Sequence, residues 1–263
     1  MSEVLKINNR IITSEEIVPL LASYQLLPQL LRELVTDQAI AEIGCTWEEQ
    51  DQCLQQFHQQ QQISSAAEQQ AWLTKNHLTE RQLATIVTRP LRIARYKQAT
   101  WGAKLESYFL QRKSQLDRAI YGLIRLEDLG IAQELYFRIS EGEQSFALLA
   151  REYSQGPEAQ TGGLIGPAEL ATLHPTLAKV LTVSQPEQLW APIQLGQWWV
   201  IIRLEKFIPA QLDEPMQQRL LDELFQKWLQ EQLENLGPLV PPVPLGPTET
   251  QDSVFKALFG IAQ

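Results

Sequence analysis

Four helix-start signatures spread between Thr13 and Gln82 constrain this chain most. Thr13-x-x-Glu16, Thr46-x-x-Glu49, Ser65-x-x-Glu68 and Thr79-x-x-Gln82 each have the capping-box form. In such a box a short hydroxyl side chain and a carboxylate or amide three residues on satisfy the amides that a helix start leaves unpaired. Between them, apolar residues recur at helical spacing, as in Leu27, Leu30, Leu31, Leu34 and Val35, and again in Leu83, Ile86 and Val87. Pro28 and Pro90 mark breaks or first-turn positions. Leu5–Ile12 alternates enough for a short strand, with Asn8-Asn9 as a turn. Residues 1–116 therefore read as a short strand followed by four to six helices. The glutamine-rich stretch 52–62 belongs to one of them, because Leu54, Phe57 and the capped start at Thr46 favour an amphipathic helix over a low-complexity tract.

Charge and motif content exclude several functions. The net charge is −9; residues 1–116 are balanced and the remainder is acidic, so the basic domain of a nucleic-acid binder is missing. The one acid-free basic stretch, with Arg81, Arg89, Arg92, Arg95 and Lys97, reads as a solvated helix face. No apolar run approaches the roughly 20 residues of a membrane span. The start, MSEVLKINNR, lacks the apolar core of an export signal. With only Cys45 and Cys53 present, about 12 Å apart on a shared helix, a disulfide is not expected. A reducing, cytoplasmic location follows as the expectation. His58, His77 and His174 are scattered, so neither a metal site nor a cofactor is expected. Phosphate-binding loops, dinucleotide fingerprints and the hydrolase nucleophile elbow are absent from the sequence.

Residues 117–208 read differently. Ala119–Leu126 resembles a buried strand, and helices follow at Ile131–Ile139 and Phe146–Tyr153, the second with Ser145 as its cap. Ser154–Gly166 is a loop containing Gly156-Pro157 and Gly162-Gly163. Pro167 and Pro175 sit where helices can begin, and Leu189–Ile193 and Gln197–Leu204 read as closing strands. The class is α+β: a helical N-terminal module and a small antiparallel-sheet domain. Residues 209–236 hold one helix, starting after Asp213, with the stripe Leu220, Leu221, Leu224, Phe225, Trp228 and Leu229. Residues 237–263 form a proline-rich tail of extended character, closed by a short amphipathic patch at Val254–Ile261.

The middle segment resembles the parvulin family of peptidyl-prolyl isomerases. The resemblance rests on Ile131-Ala132-Gln-Glu-Leu, on Phe146-Ala-Leu-Leu-Ala150 with Tyr153-Ser154, on Gly162-Gly163-x-x-Gly166, on Leu173-His-Pro-Thr-Leu177, on Gly196, and on Val200-Ile-Ile-Arg203-Leu. Residues 1–116 are similar to the helical N-terminal region of chaperone-isomerases of the survival protein A type, through a strand of the form Ile-Asn-Asn-x-Ile-Ile-Thr followed by helices. The resemblance implies that helix 214–236 packs back on the N-terminal helices. It also implies departures at the site. The family's first-strand histidine falls in Tyr121–Ile124, its loop cysteine or aspartate at Gly156, and the acid after the double glycine at Leu164. The pocket methionine and phenylalanine fall at Leu173 and Leu177, and the second histidine at Trp199 or Val200.

Prolyl isomerisation breaks no bond. Its barrier of about 18–20 kcal/mol is amide resonance, and the twisted transition state is less dipolar than the planar amide. An apolar pocket therefore favours it without an acid, base or nucleophile. Leu173, Leu177 and Trp199 are the expected substrate-binding residues, and no catalytic side chain is assigned. Leu173 and Leu177, four residues apart, serve equally as core residues. Of Trp198 and Trp199, which point to opposite faces of a strand, one is expected buried and one exposed. Two functions stand: a weak parvulin-type isomerase or foldase acting on proline-containing chains, with a profile nearly flat between about pH 5 and 9, or a non-catalytic chaperone that grips extended polypeptide with a degenerate parvulin domain. The partner in both is unfolded or extended proline-containing polypeptide, not nucleic acid. Family context adds a bacterial secretion system as a possible client pathway.

Overall fold

The computed structural model describes residues 3–7 and 10–237. They form a mostly helical chain with a small sheet, an α+β architecture. The proline-rich tail and its terminal patch lie outside the described residues. The chain divides into two compact units, one made of residues 1–103 with 221–263 and the other of residues 104–220. These divisions fall at 103/104 and 220/221, where the sequence reading placed them at 116/117 and 208/209.

In the first unit, β1 (Glu3–Ile7) and β2 (Arg10–Thr13) pair as an antiparallel hairpin, where the sequence suggested one strand with a turn. Five helices follow: α1 (Ser14–Ser23), α2 (Leu27–Ala39), α3 (Trp47–Gln61), α4 (Ala66–Lys75) and α5 (Glu80–Trp101). The helix-start residues act as their pattern implies. The amides of Thr46 and Thr79 each donate to the side chain three residues on, at 2.8 Å, and the Oγ1 of each threonine accepts the return bond from the amide of that same residue at 3.3 Å. At α4 the return bond is displaced by one residue, since Glu68 accepts from the amide of Ser64. Pro90 does not break its helix but lies inside α5. The lost amide is outweighed by the packing of α5, buried ahead of the proline at Leu83 and Thr88 and half-buried after it at Leu91, Ile93 and Tyr96.

Arg81 is exposed, but the other four basic residues of α5 are not a solvated face. Arg89 bridges Glu33 at 2.6 Å and Asp37 at 2.7 Å. Arg92 donates to the carbonyls of Ile40 and Ile43, Arg95 pairs with Glu49, and Lys97 with Asp222. These bonds tie α5 to α2, to the turn after it, to α3, and to the last helix. On that last helix, Phe225 and Trp228 stack with centroids 5.6 Å apart, and Tyr96 and Trp101 of α5 meet both rings at 5.5 to 6.3 Å.

In the second unit, α6 (Leu105–Leu116) leads into β3 (Arg118–Leu126), α7 (Leu129–Ser140) and α8 (Phe146–Tyr153). A 3-10 turn (Pro157–Thr161) precedes β4 (Leu164–Glu169), α9 (Pro175–Val183), β5 (Leu189–Leu195) and β6 (Trp198–Ile208). The last helix, α10 (Glu214–Asn235), begins in this unit and continues into the first. Pro167 falls within β4 rather than at a helix start, whereas Pro175 opens α9. The four strands form one antiparallel sheet in the order β4-β3-β6-β5.

Alternation along β3 and β6 gives the sheet two apolar faces. One carries Ala119, Tyr121, Leu123, Val200, Ile202 and Leu204 under Leu170, Leu177 and Leu181. The other carries Ile124, Leu126 and Ile201 against Ala132, Leu135, Phe146, Leu149 and Ala150 of α7 and α8. Each fully buried leucine or isoleucine here contributes about 1.5–3 kcal/mol relative to exposure.

Candidate functional site

The site is built on the face of the sheet that α9 covers. Pairing of Tyr121 with Leu204, Leu123 with Ile202 and Arg125 with Val200 aligns these six side chains on it. Trp198 shares the face, packing at the edge of the same cluster, and the Arg125 guanidinium lies over its ring at 5.8 Å from the centroid. Leu177 sits in the first turn of α9 at 6% exposure, inside the buried cluster. Leu173, just ahead of that helix, is half-buried and packs against the same cluster. His174 caps the helix, its Nδ1 accepting from the Thr176 amide at 3.3 Å.

The expected trio is thus not brought together. Leu173 and Leu177 share one face, and Trp199 lies on the other, packed against the α7–α8 core. Trp198 occupies the side expected of Trp199. Both indoles are half-buried, so the expected split into one buried and one exposed ring is not observed. Of the two positions aligned with the family's second histidine, Val200 is the one that faces with Tyr121, and it is buried.

The loop after α8 is shaped by the double glycine. Gly163 has φ +84°, and a β-carbon there would come within 2.9 Å of Phe146, Ala150 and the Leu123 carbonyl. With no side chain, its amide reaches the Glu158 carbonyl at 2.8 Å and its carbonyl accepts from the Leu123 amide at 2.9 Å. The loop is thereby sewn to β3. Gln155 and Ser154 complete the seam, the Gln155 amide donating to the Arg125 carbonyl at 2.9 Å and the Arg125 amide to Ser154 Oγ at 3.0 Å.

The sequence reading left out one group. Glu158, in the 3-10 turn, is 4% exposed, and its carboxylate accepts from Ser154 Oγ at 2.8 Å and from Arg125 Nη2 at 3.3 Å. Burial, and secondarily the Glu158 charge, push the Tyr121 phenol above its ordinary range. A carboxylate and a tyrosine therefore stand at a site expected to lack polar groups. The signal in the sequence was the Glu158 side chain two residues after a glycine. A buried carboxylate reaching back over Gly156 cannot be read from spacing alone. Among the described residues, no group of histidine, cysteine and acidic side chains could hold a metal ion.

This sheet, its helices and its glycine loop span the residues on which the parvulin resemblance rests. Residues 129–206 match the family of rotamase, PPIC-type peptidyl-prolyl isomerase domains. The match covers this stretch of the chain, and the curated relatives that the chain resembles are named chaperones. It is 32% identical over 104 residues to the chaperone SurA of Shewanella oneidensis, an alignment covering 36% of this chain and 24% of that protein. A Shewanella sp. strain gives the same figures. The chain spans about a quarter of the length of these relatives. Among solved structures it is similar to the peptidylprolyl isomerase PrsA of Bacillus cereus, at 18% identity over 91% of this chain and 94% of that one, TM-score 0.46. It is also similar to a Campylobacter jejuni protein from a study of two SurA-like chaperones, one of them called periplasmic, at 15% identity over 91% of this chain and 100% of that one, TM-score 0.35.

Proposed function

We propose that the protein is a peptidyl-prolyl cis-trans isomerase with chaperone character, acting on unfolded or extended proline-containing polypeptides. The observation that carries this reading is the single apolar face on which Tyr121, Val200, Leu204 and Leu177 lie beneath Leu173 and Trp198, inside the residues that match the isomerase family or directly beside them. A prolyl ring seated on that face leaves water, and the planar, dipolar amide is disfavoured relative to its twisted form. Lost solvation of a dipole is an effect of a few kcal/mol, and each 1.36 kcal/mol is about tenfold in rate. Gly156 and Leu164 stand where the family places polar groups, which makes this a weaker catalyst than one with a full set.

The chaperone part of the reading draws on the first unit. There a groove of about 430 Å³ is lined by Leu27, Pro28 and Leu31 of α2 and by Leu233 and Leu236 at the end of α10. Extended apolar chain fits such a groove. The name shared by the curated relatives, chaperone SurA, agrees with this.

Cytoplasmic action rests on the free thiols of Cys45 and Cys53. The comparisons lend it no support, since one solved relative comes from a study that names a periplasmic chaperone. Among the described residues, no helix is long and apolar enough to cross a membrane. A secretion pathway as the source of clients rests on family context alone.

The test is exchange spectroscopy of a short Leu–Pro peptide with the full chain at catalytic concentration. Cis–trans exchange faster than the uncatalysed rate is expected. Binding of the peptide with no change in exchange would replace this reading by the non-catalytic chaperone.

A further inference from the structure

The apolar account has no use for Glu158. Its side chain is 2% exposed, and burying a charge is costly unless the charge is partnered. Its partners are Ser154, at the end of α8, which donates to one carboxylate oxygen, and Arg125, on the site face, which donates to the other. Arg125 is held from two sides, by this carboxylate and by the ring of Trp198, while its side chain remains 32% exposed at the surface.

Gly156 explains why the carboxylate can be there. A β-carbon at that position would stand 2.3 and 2.4 Å from the two Glu158 oxygens. The Gly156 backbone is extended, φ −114°, a conformation open to any residue. Its lack of a side chain therefore serves space rather than conformation. One small volume can be filled either by a side chain at 156 or by the end of the side chain at 158, and this chain takes the second option.

Resting on the isomerase reading above, we infer that Glu158 is the positioning residue of the prolyl site: seated in the volume left by Gly156, it holds the Arg125 guanidinium where an N–H can donate to the prolyl nitrogen. In the planar amide that nitrogen's lone pair is delocalised and accepts poorly. In the twisted form the lone pair is localised and accepts well. A donor fixed in advance binds the twisted form better than the planar one, which raises kcat more than it lowers KM. The groups facing the carboxylate are Arg125 and Tyr121 from β3 and the Ser154 hydroxyl from the end of α8.

The experiment uses the full chain and exchange kinetics on the Leu–Pro peptide, with thermal melting to confirm folding. Glu158→Gln should lower kcat about tenfold, the loss of one charged hydrogen bond in the transition state, with KM little changed. Gly156→Asp alone should also lower kcat, because two carboxylates then compete for one volume. The double variant Gly156→Asp/Glu158→Ala should recover most of the activity. Ultraviolet titration of the tyrosines adds a readout that a purely structural role would not move. The highest-titrating phenol should shift down in Glu158→Gln and return in the double variant. A parent that does not accelerate exchange overturns the proposed function and this inference with it. An active parent whose folded Glu158→Gln variant keeps its kcat overturns this inference alone. Should Glu158→Gln fail to fold, a folded double variant with a tenth or less of the parental kcat overturns it equally.

Discussion

Trp198 and Trp199 are neighbours in sequence that serve opposite faces of one sheet: Trp198 lies under the Arg125 guanidinium on the face that Leu173 also packs against, and Trp199 packs into the α7–α8 core. The pairing of Leu126 with Trp199 and of Leu195 with Trp198 fixes this register. Their mutants should therefore separate. Trp198→Ala should weaken binding of a proline peptide, measured by isothermal titration, with a modest loss of stability. Trp199→Ala should chiefly destabilise, by up to about 3–5 kcal/mol, the cost range for removing a packed aromatic side chain. The reverse pattern would place the site on the other face.

The double-glycine loop should tolerate no side chain at its second position. Gly163→Ala adds a β-carbon at 2.8–2.9 Å from three neighbours and forces φ +84° on an L-residue. Strain and overpacking of this kind each cost about 1–3 kcal/mol. Urea denaturation should show a loss in that range or above it. A loss below 0.5 kcal/mol, typical of exposed surface changes, would mean that the loop is not sewn to β3 as described.

Acid should loosen helix starts selectively in the first unit. Glu49 is held below the usual carboxylate range by the Arg95 guanidinium and the Thr46 amide, and Glu16 and Glu68 are held below it by the amides of Thr13 and Ser64. A depressed folded value means that the contribution is complete above the unfolded pKa, near 4.3, and is lost as pH falls through the folded value. The start of α5 uses Gln82, which does not titrate. Hydrogen exchange should show the first turns of α1, α3 and α4 fraying on descent from about pH 5, with the first turn of α5 unchanged. Uniform fraying of all four would contradict this.

The aromatic cluster of the first unit should be a stability hot spot. Phe225 is 4% exposed, stacks on Trp228, and lies 5.0 Å from the Lys97 ammonium. Phe225→Ala should cost about 3–5 kcal/mol and raise proteolysis of residues 1–103. Unchanged protection of those residues would show that α10 does not support them.

Much of the fold was legible because the sequence wrote it locally. Capping pairs set the starts of α3 and α5, Ser145 set that of α8, and Ala119–Leu126 and Gln197–Leu204 read as the strands that became β3 and β6. What escaped was non-local. Pro90 read as a break or a first-turn position, yet packing before it at Leu83 and Thr88 and after it at Leu91 and Ile93 carries α5 through it. The α5 basic residues looked solvated because their partners, Glu33, Asp37, Glu49 and Asp222, are remote in sequence. Leu173 and Leu177 were named from the family resemblance, and both pack on the α9 side of the sheet. The choice between Trp198 and Trp199 needed strand register. The Glu158 carboxylate needed the three-dimensional fact that Gly156 leaves it room.

The central claim is that proline-containing peptide binds on the Leu173–Trp198 face of the sheet. Methyl and indole chemical-shift mapping of the full chain, titrated with the Leu–Pro peptide, tests it most directly. The account predicts saturable shifts at the Leu173 and Leu177 methyls and at the Trp198 indole N–H, with the Trp199 indole and the α8 methyls of Leu148 and Leu149 unmoved. Shifts confined to Trp199 and α8 would contradict it.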